Sequence, residues 1–175
     1  MTRAYSVQAP RAVVMIRPHF FASNPDTMQD NAFQTAPALQ STATIAAAAH
    51  EEVTVMARQL EAAGVRVHLF EDQTHATPDS VFPNNWFSTH AGGHVAIYPM
   101  YAPNRQKERR WDIINMLKNT YRVQDVIDYS GLEQDKVYLE GTGAMVLDHI
   151  DRVAYVVRSN RAPAGPGTVL HTLQL

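Results

Sequence analysis

The strongest constraint on the fold of this chain is an internal repeat. Residues 86–90 read Trp86-Phe87-Ser88-Thr89-His90, Ala91-Gly92-Gly93 make a turn, and Val95-Ala96-Ile97-Tyr98 return, with Asn104-Arg105 further on. The same order recurs in Ala144-Met145-Val146-Leu147 up to His149, a short turn, Val153-Ala154-Tyr155-Val156-Val157 and Asn160-Arg161. The offset between copies is 59 at the histidines, 58 at the first valines and 56 at Asn-Arg. Loop-length variation in a diverged repeat produces drift of this size. Each copy predicts a β-hairpin, and a lone hairpin cannot bury its own apolar face. The copies are therefore expected to stack as modules.

The stretches around the hairpins complete an α/β pattern. Ala12-Val13-Val14-Met15-Ile16 predicts a buried strand that ends at Arg17-Pro18. Residues 19–42 are polar and read as irregular. A helix is expected from Ser41-Thr42, with Ala49, Val53, Met56 and Leu60 on one face and Gly64 as its stop. Val65 to Phe70 reads as the next strand. A second helix is predicted from about Asn104 to Lys118, with Trp111, Ile114 and Leu117 inward and Lys107, Glu108, Arg109 and Lys118 in water. Val126-Ile127-Asp128-Tyr129 reads as a further short strand.

Composition narrows the function classes. Fifteen basic and 17 acidic side chains leave a formal charge of −2, and the pI is near 6.4. Such a chain has no long-range field for a nucleic-acid backbone, so no nucleic-acid partner is expected. It contains no apolar run of membrane-spanning length and no signal-peptide pattern at Met1 to Ser6, so a cytoplasmic protein without a membrane partner is expected. There is no cysteine among the 175 residues. Disulfides, thiolate metal sites and a thiol nucleophile are therefore unavailable within this sequence.

The repeat also predicts incompleteness. The first hairpin is followed by a helix and a strand, which after Asn160-Arg161 would need roughly 25 residues. Only 14 residues follow Arg161, and they hold Pro163, Gly165, Pro166 and Gly167, which disfavour a helix. The chain is thus expected to be C-terminally truncated, with its last residues foreign to the repeat.

Phe82-Pro83-Asn84-Asn85-Trp86 and Leu139-Glu140-Gly141-Thr142-Gly143 occupy equivalent places, each just before the first strand of a hairpin. Polar groups at equivalent strand ends of stacked modules converge on a shared centre. A carboxylate (Glu140) beside a flat amide (Asn85) suits a planar, nitrogen-rich group such as a guanidinium or a ureido, whose N–H donors fit a carboxylate in a fork. The other reading is that Asn84 and Asn85 form an ordinary turn and that Glu140 is a solvated loop acid.

The chain resembles the pentein, or guanidine-modifying, superfamily of arginine deiminases, dimethylarginine dimethylaminohydrolases and amidinotransferases. It is most similar to the bacterial amidinotransferase group also described as citrulline-utilisation hydrolases. The likeness rests on Val14-Met15-Ile16-Arg17-Pro18, Asn24-Pro25 through Asn31-Ala32-Phe33-Gln34, Phe82 to His90, Tyr98-Pro99-Met100 through Arg109-Arg110, and Leu139-Glu140-Gly141-Thr142-Gly143. The resemblance implies a five-bladed propeller of ββαβ modules around a polar site, of which residues 10–161 hold about three blades. Residues 162–175 are then a non-homologous or disordered tail. Five modules at the observed offset give about 290 residues.

The resemblance further implies a Cys nucleophile attacking the central guanidine or ureido carbon, a His as general acid/base, and carboxylates on the nitrogens. Glu140 matches the Glu of the family's Glu-Gly-Gly motif, the catalytic residue carried over. Phe82, Asn84, Asn85 and Gly141 are the candidate substrate-binding residues. Asn85 matches the Asp of the deiminase Phe-x-Arg-Asp motif, and an amide there fits a neutral ureido substrate such as citrulline better than cationic arginine. The family's nucleophile and catalytic His fall in later modules. By the resemblance Asn31 and Phe33 belong to a lid or substrate-flanking loop, the equal alternative being a structural loop, and His171-Thr172 only superficially resembles the catalytic His segment.

Other motifs carry less. His50-Glu51-Glu52-Val53-Thr54 lacks the second His of a zinc-protease helix. His90 and His94 flank a Gly-Gly turn and read as turn residues rather than a metal pair. Arg105 to Arg110 is mixed in sign and reads as a solvated helix face. No cofactor and no metal is expected. The reading is the N-terminal part of an arginine- or citrulline-processing hydrolase or amidinotransferase acting on a small amino-acid substrate. Its competitors are a non-catalytic binding fragment, a non-functional truncation product, and a subunit borrowing Cys and His from another chain.

Overall fold

The computed structural model describes residues 7–28 and 41–162. Asn31, Phe33, His171 and the tail beyond Ala162 lie outside them. The chain divides into two compact units. One consists of Pro10–Pro83 with Ala102–Glu108, and the other is built on Asn84–Tyr101 and the chain from Arg109 onward.

In the first unit β1 (Ala12–Pro18) and β2 (Arg66–Asp72) pair in parallel, Ala12 opposite Arg66 through Pro18 opposite Asp72. Parallel neighbours need a crossover, and α1 (Thr42–Ala62) supplies it, packing on both strands. Ser41 caps α1, its hydroxyl accepting the Thr44 N–H at 3.2 Å and satisfying a donor the first turn leaves open. At the other end Val65 N–H reaches the Leu60 carbonyl and Gly64 N–H the Glu61 carbonyl, both at 2.9 Å. Gly64 adopts φ +84°, so the expected stop is a Schellman motif.

The buried stripe of α1 is Ala46, Val53, Thr54 and Ala57. Of the four positions expected inside, only Val53 is fully buried, and Met56 is 55% exposed. The helical period is as expected and its phase is not. Small alanines face the sheet, and Thr54 turns inward because its hydroxyl accepts from Arg17 at 3.1 Å and donates to the His50 carbonyl at 2.8 Å.

The second unit contains a full ββαβ module. β3 (Phe87–His90) and β4 (His94–Ile97) form the first hairpin, with Phe87 opposite Ile97 and His90 opposite His94. β5 (Asp125–Asp128) then lies parallel to β4. The second copy gives β6 (Met145–Asp148) and β7 (Val153–Val156), also antiparallel. Ala96 and Ala154, equivalent in the repeat, meet with Tyr98 and Met145 in one buried cluster. The equivalent histidines His90 and His149 lie with ring centroids 5.3 Å apart. The two turns use different chemistry. Gly92 and Gly93 take φ +93° and +86° in the first. In the second the Asp148 carboxylate accepts the Ile150 and Asp151 N–H groups at 3.0 and 2.9 Å.

The helix expected over 104–118 is two helices. α2 (Pro103–Gln106) belongs to the first unit and α3 (Trp111–Thr120) to the second. The break falls where the chain passes between units. In α3, Ile113, Ile114 and Leu117 are buried while Trp111 is 57% exposed, so Trp111 is not on the inner face as expected. The charged run is not a solvated face either. Arg105 and Glu108 are each only 2% exposed and meet through two 3.0 Å hydrogen bonds. Pairing is what permits that burial. Among the described residues no helix is long and apolar enough to cross a membrane.

Two glycine substitutions separate strain from collision. A Cβ on Gly64 meets nothing within 4 Å, whereas one on Gly93 runs into the Arg122 carbonyl oxygen. Gly64→Ala is expected to cost about 1 kcal/mol from positive φ alone. Gly93→Ala is expected to cost more than about 2 kcal/mol. Urea unfolding of both variants measures the difference, and equal costs would refute the assignment.

Candidate functional site

Asn84, Asn85, Glu140 and Gly141, placed before the two hairpins, come together in the second unit. One turn of 3-10 helix over Pro83–Asn85 leads into Trp86, whose carbonyl accepts the Tyr98 N–H at 2.8 Å and extends the β3–β4 ladder. The Glu140 to Gly143 segment docks on this turn by backbone bonds. Gly141 N–H donates to the Asn85 carbonyl at 2.7 Å and Thr142 N–H to the Asn84 carbonyl at 3.1 Å. Gly141 is required for that approach, because a Cβ there would strike the Asn84 carbonyl oxygen and press on the Tyr98 ring. Thr142 ties the side chains as well. Its hydroxyl donates to Asn85 Oδ1 at 3.2 Å and accepts from the Asn84 amide nitrogen.

Glu140 is fully buried. Its Oε1 accepts the Tyr101 N–H at 3.1 Å, and its own N–H donates to the Arg161 carbonyl at 3.1 Å. Its Oε2 lies over Gly143, where an added Cβ would sit 2.6 Å from that oxygen and 3.3 Å from the Asn85 amide nitrogen. Carboxylate oxygen and amide nitrogen thus both pack against Gly143, in space that a side chain there would occupy. Asn85 is buried and Asn84 exposed. Phe82 belongs to the other unit and is 45% exposed. Glu140 is therefore not a solvated loop acid, and the Asn84-Asn85 turn is also a docking platform.

In the same unit, Ser88 Oγ lies 2.6 Å from both His90 Nε2 and the Tyr98 hydroxyl. Burial, reinforced by His149 and His94, pushes the His90 imidazole down to about 4. Burial also raises the Tyr98 phenol. His94 pairs with Asp125 at 2.6 Å across β4–β5. His90 and His94 thus turn to separate partners.

Two polar arrangements escape a sequence reading. Arg109 forks onto Glu133 at 2.5 and 2.9 Å, while Glu133 also accepts the Met100 N–H at 2.7 Å. The partners stand 24 residues apart, with no local signal. In the first unit the fully buried Asn24 donates to Asp79 at 2.6 Å and accepts from Asn104 at 2.6 Å. Arg105 lies 3.8 Å from Asp79. The Asn24-Pro25 motif was the one hint.

Comparison with known proteins places this arrangement. The profile of the family described as N,N dimethylarginine dimethylhydrolase, eukaryotic, matches residues 17–167. Among solved structures, a dimethylarginine dimethylaminohydrolase as an adduct with S-methyl-L-thiocitrulline has TM-score 0.59 and 18% identity, covering 86% of this chain and 52% of its own. The N-terminal domain of a substrate-bound cyanobacterial arginine dihydrolase, ArgZ, has TM-score 0.59 and 20% identity, with 87% and 51% covered. The dimethylarginine dimethylaminohydrolase of Pseudomonas aeruginosa with citrulline has TM-score 0.58 and 16% identity, with 87% and 52% covered. No curated protein matches. The chain belongs to the dimethylarginine dimethylhydrolase family, within the pentein superfamily of guanidine-modifying enzymes. Its mixed α/β architecture is that of a partial pentein propeller, spanning about half the length of these structures.

Two outcomes are expected here. Gly143→Ala places a methyl against Glu140 Oε2 and should cost about 1–3 kcal/mol. Gly131→Ala, with nothing within 4 Å of its Cβ, should change stability by less than about 0.5 kcal/mol. Chemical denaturation compares them. The second outcome concerns pH. The folded His90 pKa of about 4 lies below its unfolded value of 6.5, so the unfolded chain binds the extra proton first. Stability is then full above pH 6.5 and falls as pH drops toward 4, by about 2 kcal/mol after allowing for partial solvent screening. His90→Gln should flatten that part of the pH profile, and an unchanged slope would contradict the assignment.

Proposed function

We propose that this chain is the N-terminal part of a hydrolase that processes a guanidine or ureido group on a small amino acid, citrulline-like rather than arginine-like. Family membership supports the hydrolase class. The observation that carries the finer reading is the buried Glu140 carboxylate beside the Asn85 amide, both packed against Gly143. A flat ureido group presents N–H donors to the carboxylate and a carbonyl oxygen to the Asn85 amide nitrogen, the Asn85 oxygen being taken by Thr142. Asn85 adds no second negative charge, which favours a neutral ureido over a guanidinium. In this reading Glu140 orients the substrate nitrogens, Asn84 and Asn85 shape the wall, and Gly141 sets the backbone approach. The likeness to the bacterial amidinotransferase and citrulline-utilisation group points the same way. A cytoplasmic location is proposed with it. The nucleophilic step requires a thiol that these 175 residues do not contain, so the expected behaviour of this stretch is binding without turnover.

Isothermal titration of the folded 175-residue chain with L-citrulline and L-arginine tests this. Citrulline should bind more tightly than arginine, and Glu140→Gln should weaken it more than about tenfold. Asn85→Asp should shift the preference toward arginine by about tenfold. Arginine binding as well as or better than citrulline in the unsubstituted chain would overturn the ureido reading. Absence of binding by either in a cooperatively folded chain would overturn the site.

A further inference from the structure

Three side chains from three segments of the first unit converge. His19 follows β1, His50 stands midway along α1, and Glu71 is the penultimate residue of β2. One ligand atom from each lies within 4.8 Å of the other two. His19 Nε2 is 2.8 Å from Glu71 Oε2. The His19 and His50 rings meet edge to face with centroids 4.9 Å apart. All three residues are partly exposed, so a hydrated ion can reach them and leave a coordination position for water.

We propose that His19, His50 and Glu71 form a binding site for Zn2+. Two imidazole nitrogens and one carboxylate oxygen, without thiolate, are a donor set that suits zinc. Tetrahedral ligands at zinc bond lengths stand about 3.3 Å apart. His19 Nε2 and Glu71 Oε2, hydrogen-bonded at 2.8 Å, part slightly as zinc replaces the proton between them, and rotation of the partly exposed side chains brings in His50. The carboxylate is held in place from behind. Arg17 Nε lies 3.1 Å from both Glu71 oxygens and its Nη2 also pairs with Oε1. Arg17 Nη1 in turn donates to Thr54, whose hydroxyl bonds the His50 carbonyl. Hydrogen bonds of this kind orient metal ligands. The Arg17 charge opposes a cation, and the nearby Glu51, which acts on Arg17 in the same sense as Glu71, offsets part of that opposition. A bound ion would tie β1, α1 and β2 at one point, bracing the crossover helix against both strands. The His-Glu-Glu start that fails as a protease motif thus contributes its His to a site completed by the tertiary fold.

Titration of the full chain with zinc chloride by calorimetry, with thermal unfolding alongside, tests the site. One equivalent should bind and raise the melting temperature. His50→Ala should weaken binding more than about tenfold, while His75→Ala, whose ring stacks on Phe20, should leave it unchanged. Equal zinc affinity in a folded His50→Ala variant, or no saturable 1:1 binding to the unsubstituted chain, overturns the proposal. Should His50→Ala fail to fold by circular dichroism, the visible spectrum of Co2+ added to the unsubstituted chain decides. Intense four-coordinate bands support the site, and the weak six-coordinate spectrum of the aqueous ion overturns it.

Discussion

Two backbone hydrogen bonds, from Gly141 N–H to the Asn85 carbonyl and from Thr142 N–H to the Asn84 carbonyl, hold the candidate site together. They join segments about 57 residues apart in sequence that occupy the same place in each copy of the repeat. The approach is closer than any side chain at Gly141 would allow. Once the segments are docked, Glu140 is buried, and its carboxylate and the Asn85 amide both pack against Gly143. The alanines Ala96 and Ala154 serve the same end below, being small enough for the two hairpins to share one cluster with Tyr98 and Met145.

Charge is used throughout as a fastening inside partly dry surroundings. Arg105 meets Glu108, Arg109 meets Glu133, and Arg17 meets Glu71. Each pair presents an arginine fork to a carboxylate, the geometry that best compensates desolvation. The Glu71 carboxyl is held below the ordinary carboxylate range chiefly by its hydrogen bond to Arg17, despite partial burial. Such pairs fix geometry more than they add stability, since removing one partner strands the other. The Glu133 pair also takes the Met100 amide, and so secures the segment that follows β4.

Much of this was legible in the residues. The strand at Ala12 to Ile16, the helix start at Ser41, the Gly64 stop and both hairpins follow from local chemistry, because caps, turns and alternation are written within a few residues. The family resemblance likewise rested on short motifs, and the matching profile bears it out. The failures share one cause. The phase of α1 depended on which neighbours lay beneath it, and Thr54 displaced Met56 from the inner face because Arg17 was there to bond it. The Asn104 to Lys118 helix looked continuous because nothing local marks a passage between units. Arg105 and Glu108 looked solvated because their burial depends on their mutual pairing and on the surrounding packing.

The repeat, its offset and the polar residues placed before each hairpin were determined by the sequence alone, since they are matters of order and spacing. Which of those residues meet was decided by the tertiary structure. Glu140 became a buried carboxylate because the docked backbone withdrew it from water. The isolated His50 gained His19 and Glu71 as neighbours only when a parallel strand pair and its crossover helix closed on one another. Contacts across tens of residues form when apolar faces are buried together, and no local pattern records which polar groups that burial carries inward.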